Sequence, residues 1–126
     1  MLIKVIAILL GFLGICAPAN LVASSNNWVL AVGTENKSVY VDKDSIKRTG
    51  FIARYWTRTD YEPATERGWV RAVRLNETDC AGERIRFLQI AIYYADGTRG
   101  GSDSPSNWYY VVPETELESE FDFICS

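Results

Sequence analysis

Cysteine constrains this chain more than any other residue: it has three, Cys16, Cys80 and Cys125, and no histidine. Cys16 lies in the opening stretch MLIKVIAILLGFLGICAPANLVASS. There one lysine precedes about a dozen apolar residues and small residues follow, the pattern of a secretory signal. The stretch is too short and wrongly flanked for a stable transmembrane helix. Cleavage is expected after Ala19 or Ala23, which makes residues 1–23 the signal and 24–126 one domain. Ile15 stands where a lipoprotein signal wants a small residue before its cysteine, so contact with a membrane is expected only if Cys16 carries lipid. Export places Cys80 and Cys125 in an oxidising compartment, where an even count reads as a disulfide. Closing a loop of 45 residues contributes about 4 kcal/mol in the chain-entropy account. A domain of roughly a hundred residues has a thin core and benefits from such a staple. A nucleophilic cysteine would need a base to make thiolate, and histidine, the usual one, is absent. Two isolated cysteines also fall short of a zinc site.

The rest of the chain alternates short β-rich runs with turn residues. NWVLAVG (27–33) and KSVYVDK (37–43) predict a hairpin around Thr34, Glu35 and Asn36. DKDSIKRTG reads as a connection, with Asp42, Asp44 and Ser45 forming a turn and cap before Ile46. In FIARYWTRTDY (51–61), Phe51, Ala53 and Tyr55 fall on one face and Ile52, Arg54, Trp56 and Arg58 on the other. WVRAVRLNETDC and ERIRFLQIAIYYADG are the longest strand candidates. The second carries Leu88, Ile90 and Ile92 on one face and Ile85, Phe87, Ala91 and Tyr93 on the other, which predicts a central strand packed on both sides. GGSDSPSN reads as loop and WYYVV as a last strand. After Pro113 the period changes. Leu117, Phe121 and Ile124 form one helical stripe, and Thr115 with Glu118 fits a capping box. The expected fold is α+β: an antiparallel β-sheet of about six strands with one C-terminal α-helix packed on it and one disulfide, Cys80–Cys125.

Little in this sequence supports catalysis. It has no Gly-x-Ser-x-Gly elbow, no phosphate-cradling glycine loop and no metal-spaced cluster, so no catalytic residue, metal or cofactor is expected. Asn36-Lys37-Ser38 and Asn76-Glu77-Thr78 match the N-glycosylation pattern and are expected in or beside turns. Charge is segregated. From Lys47 to Arg99 ten bases, nine of them arginine, face seven acids, and from Gly100 onward there are six acids and no base. Arginines interleave with large aromatics: Arg54, Trp56, then Arg67, Trp69, Arg71, Arg74, then Arg84 and Arg86. Two readings stand. Arginine can solvate the wet face of a sheet while its stem covers aromatic neighbours. Arg with Trp and Tyr is also the composition of protein-binding hot spots and of surfaces that grip sulfated polymers. The acidic pI near 4.9 argues against nucleic acid.

The landmarks then fall into a familiar order. Trp28 opens the mature domain, VYVDKDSI (39–46) follows, then a strand with Trp56, a basic strand into Asp79-Cys80, ERIRFLQIAIYYADG, and NWYYVVPETELESEFDFIC at the end. Over essentially the whole mature chain this resembles the surface-adhesin protein E family of Gram-negative bacteria. The resemblance implies an exported adhesin at the periplasm or outer surface. It also implies adhesion to host matrix or plasma proteins such as laminin and vitronectin, with a homodimer allowed. Carried over residue by residue, binding falls on the basic strand before Cys80, at Arg67, Arg71 and Arg74 with Trp69. The alternative is a soluble periplasmic structural or inhibitor module.

Overall fold

A computed structural model of the chain describes residues 27–126. The signal segment, Cys16 and both cleavage positions lie outside the described residues. The strands are β1 (Trp28–Gly33), β2 (Lys37–Asp42), β3 (Lys47–Thr49), β4 (Ile52–Tyr61), β5 (Trp69–Asp79), β6 (Arg84–Tyr94), β7 (Arg99–Ser102) and β8 (Tyr109–Tyr110). One helix, α1 (Glu116–Cys125), follows. All strand pairs are antiparallel, and the sheet runs β1-β2-β4-β5-β6-β7, with β3 also on β4 and β8 also on β6. The class is as expected, with eight strands where about six were anticipated. The additional ones are short. β3 lies within the connection after β2, where Asp42 Oδ1 accepts the Asp44 N–H at 3.2 Å and so caps the turn as predicted. β7 falls in the glycine-rich stretch read as loop. A Cβ at Gly101 would collide with the Ile90 carbonyl, so glycine is what lets this segment press onto β6 and pair.

The alternation in β4 is as read: Ala53, Tyr55, Thr57 and Thr59 are buried and the residues between them are not. Partners across the ladder extend this inner face to Val39 and Val41 on β2 and to Ala72, Arg74, Asn76 and Thr78 on β5. β6 differs from its sequence reading. Leu75 pairs with Gln89 but Asn76 with Phe87, which leaves Leu88 as an extra residue. That bulge shifts the alternation by one, so Ile85 and Phe87 share the inner face with Ile90 and Ile92. Apolar residues on both sequence faces therefore come from one buried face interrupted once, rather than from a strand packed on both sides.

The helix covers the inner face. Ile124 is fully buried against Val41, Ala53 and Tyr55, with Ala31, Ile46, Phe123 and Cys125 around them. The Cys80–Cys125 disulfide ties the last helical residue to the β5–β6 turn, and the Cys80 N–H donates to the Phe51 carbonyl at 2.9 Å. Thr115 is the N-cap residue, but the capping box does not close as drawn. Its hydroxyl donates to the Val112 carbonyl at 2.6 Å, and Glu118 Oε1 accepts the Glu114 N–H at 3.1 Å, one residue upstream of the expected donor. Asn76 stands in the middle of β5, fully buried, instead of beside a turn, and so cannot serve as a glycan acceptor.

Candidate functional site

The sheet face turned away from the helix carries three rows of opposed residues. Ile52, Asp79 and Arg84 form one row; Arg54, Glu77 and Arg86 the next; Asp60, Arg71, Tyr93 and Arg99 a third, further along the sheet. Strand alternation and antiparallel register bring the arginines together, and acids between them set their positions. Glu77 accepts from Arg54 Nη2 at 2.9 Å and from Arg86 Nη2 at 2.7 Å. Asp79 Oδ2 accepts from Arg84 Nε at 3.0 Å. Asp60 takes Arg71 Nε at 2.8 Å on one oxygen and Arg58 Nη2 at 3.2 Å on the other. Aromatic rings complete the arrangement. The Arg84 and Arg86 guanidiniums sit 4.3 and 4.6 Å from the Trp108 ring centre, and Arg58 lies 4.6 Å from Tyr40 and 5.2 Å from Trp28.

These contacts leave the face mildly basic. Five arginines (54, 58, 71, 84, 86) share three carboxylates, and Arg99, stacked on Tyr93, adds a further cation. Arg54 and Arg71 remain 55% and 46% exposed, whereas Glu77, paired with Arg54, is 8% exposed. Burial raises the Glu77 pKa, but hydrogen bonds and charge from Arg54 and Arg86 outweigh it and hold the carboxyl below its ordinary value. The Gly82 backbone N–H, with Arg84, holds Asp79 low in the same way.

The candidate residues named from sequence divide between two faces. Arg54, Trp56, Arg71, Arg84 and Arg86 share the outer face. Arg74 points inward: Nη1 donates to Thr59 Oγ1 at 3.3 Å, and the guanidinium lies 5.2 Å from the Phe87 ring. Trp69 lies just before a β5–β6 irregularity, pairs with Tyr94 and packs edge-on against Tyr61, with Arg67 in the turn beside it. Arg58, Trp28, Tyr40 and Trp108 join the outer face without having been assigned to a binding site from sequence. Arg58 was the most readable of them, two residues beyond Trp56 on an alternating strand.

Sequence reading also passed over Glu120. It lies on the helical stripe between Leu117 and Ile124 and is buried. Its Oε2 accepts the Tyr55 hydroxyl at 2.6 Å and the Asn76 amide at 2.8 Å. Since Tyr55 donates its only hydroxyl proton to Glu120, it accepts from Thr78 Oγ1, 2.6 Å away. Burial raises the Glu120 pKa despite the Tyr55 and Asn76 hydrogen bonds and the Arg74 charge that favour ionisation. Burial, followed by the Glu120 charge, pushes the Tyr55 hydroxyl well above its ordinary value.

These shifts act on stability with opposite signs. A raised folded-state pKa means that the stability from Glu120 is full below the ordinary carboxylate pKa and is lost as pH rises through its folded value. Glu77, held low, stabilises above the ordinary range, and that contribution is lost as pH falls through its folded value. Urea midpoints measured from pH 4 upward should therefore show wild type losing ground to Glu120→Gln as pH rises. A difference independent of pH would contradict a Glu120 carboxyl whose pKa burial raises on folding.

The comparisons with known proteins accord with this architecture. The family model of surface-adhesin protein E matches residues 28–126. The chain belongs to the surface-adhesin protein E family. Crystal form II of Haemophilus influenzae protein E is similar at 17% identity and TM-score 0.59, covering 78% of this chain and 86% of that one. Protein E from non-typeable Haemophilus influenzae gives TM-score 0.54 at 17% identity, with 78% and 74% covered. At that identity the likeness speaks to the fold alone. No curated protein matches the sequence. Membership in a surface-adhesin family implies export, and among the described residues no helix is long and apolar enough to cross a membrane.

Proposed function

We propose that this member of the adhesin E family is an exported, non-enzymatic binding protein whose outer arginine–aromatic face engages a macromolecule. Host matrix or plasma proteins are the partner class that the family resemblance implies. The supporting observation is preorganisation: Arg58, Arg84 and Arg86 are each held both by a carboxylate and by an aromatic ring. Side chains already fixed lose little freedom on binding, and Arg beside Trp and Tyr supplies hot-spot chemistry. Because acids neutralise most of the arginines, the face suits a protein partner better than a dense polyanion. Six arginines against the three carboxylates that pair with them give modest steering, with stacked aromatics carrying most of the contact energy.

Retention on immobilised laminin and vitronectin, followed as ionic strength rises, tests this reading. Retention should be strongest at low salt and weaken, without vanishing, beyond about 0.15 M. No retention at low salt would remove these ligands and favour a soluble periplasmic module whose arginines only solvate the sheet.

A further inference from the structure

The other side of the sheet holds a second feature, under the first turns of α1. A cavity of about 550 Å³ opens there between the helix and β2, β4, β5 and β6, a size that accommodates a small ligand. Val39, Tyr61, Phe87 and Leu117 supply apolar walls. Arg74 and Glu120 line the same space, and each acts on it as an incompletely matched group. Arg74 has Thr59 as a hydrogen-bond partner and Phe87 as a stacking surface, but among the described residues it has no carboxylate at ion-pair distance and its buried Nε meets no acceptor. Glu120 receives the Tyr55 and Asn76 bonds on one oxygen, Oε2. Arg74 and Glu120 interact electrostatically without forming an ion pair.

Charge selects the ligand. At the mouth, Lys37 and Glu116 neutralise each other, and Glu114 adds a carboxylate at the rim. A simple anion would be drawn to Arg74 but repelled by Glu120 and Glu114. A simple cation would meet the reverse. A molecule carrying both signs satisfies the unmatched pair together, and the apolar walls take its side chain. We propose that this cavity binds a zwitterionic amino acid or peptide of two or three residues with an apolar side chain, its carboxylate on Arg74 and its ammonium on Glu120. The site is independent of the outer face and does not rest on adhesion.

Calorimetric titration of the folded, disulfide-closed protein with leucyl-leucine, its N-acetyl form and its C-terminal amide tests the assignment. The free dipeptide should bind saturably at one site, with each blocked form about tenfold weaker. Arg74→Gln should bind the free and amidated peptides alike, and Glu120→Gln the free and acetylated ones. Absence of saturable binding by the free dipeptide overturns the proposal, as does binding that neither block weakens. Where a variant fails to fold, the wild-type comparison of the three peptides decides alone.

Discussion

Cys80→Ser and Cys125→Ser are each expected to lower stability by about 4 kcal/mol, and the double variant is expected to be no worse than either. The size follows from the 45-residue separation of the bridged cysteines. The equality follows from both variants removing the same cross-link. The bridge is the covalent hold on a helix of ten residues, too short to be stable alone, whose other end is tied to the sheet by the Lys37–Glu116 pair. Urea unfolding of the three variants beside wild type measures this. A double variant clearly less stable than both singles would mean that the cysteines contribute separately.

The second large effect lies at Tyr55, which is fully buried and links β4, β5 and α1 through one hydroxyl. Tyr55→Ala should lower stability by about 4 kcal/mol, since it removes an aromatic ring from the centre of the core. Tyr55→Phe keeps the ring but leaves Glu120 and Thr78 short of a buried partner, which should lower stability by about 2 kcal/mol. Thermal and urea unfolding of the two variants separates ring packing from the hydrogen-bond network. A near-neutral Tyr55→Phe would mean that the hydroxyl contributes little and that Glu120 is held by other means.

The fold was legible where local pattern and long-range packing agree. β4 alternates without interruption, so its buried and exposed sets could be read residue by residue. The Leu117, Phe121 and Ile124 stripe located the helix. Reading failed where one residue shifts the period. Leu88 as a bulge makes the apolar residues of β6 look two-sided, and only the register against β5 shows that Ile85 and Ile92 face the same way. β7 was hidden because glycine, a poor strand former, is what the close approach to β6 requires. The candidate site shows the same limit. Arg71 and Arg74 differ by an odd number of positions, so a regular strand must send them to opposite faces, and the spacing was available in the sequence. Glu120 stood at a core position of the helical period, but an acid in an acidic helix reads as solvated until its partners Tyr55 and Asn76 are brought over it by the fold.

The central claim, a binding face on the outside of the sheet, is tested most directly by Arg54→Ala/Arg71→Ala. These two arginines can be removed without orphaning an acid, because Glu77 keeps Arg86 and Asp60 keeps Arg58. Exposed ion pairs contribute little to stability, so the double variant should unfold within about 1 kcal/mol of wild type. Surface plasmon resonance on immobilised laminin and vitronectin is the measurement to make, with Arg48→Ala as a control, since its register partner Ala53 belongs to the inner face. The account predicts a loss of about 30-fold in affinity for the double variant, from about 1 kcal/mol at each arginine, and none for the control. Equal affinity of wild type and double variant would contradict it.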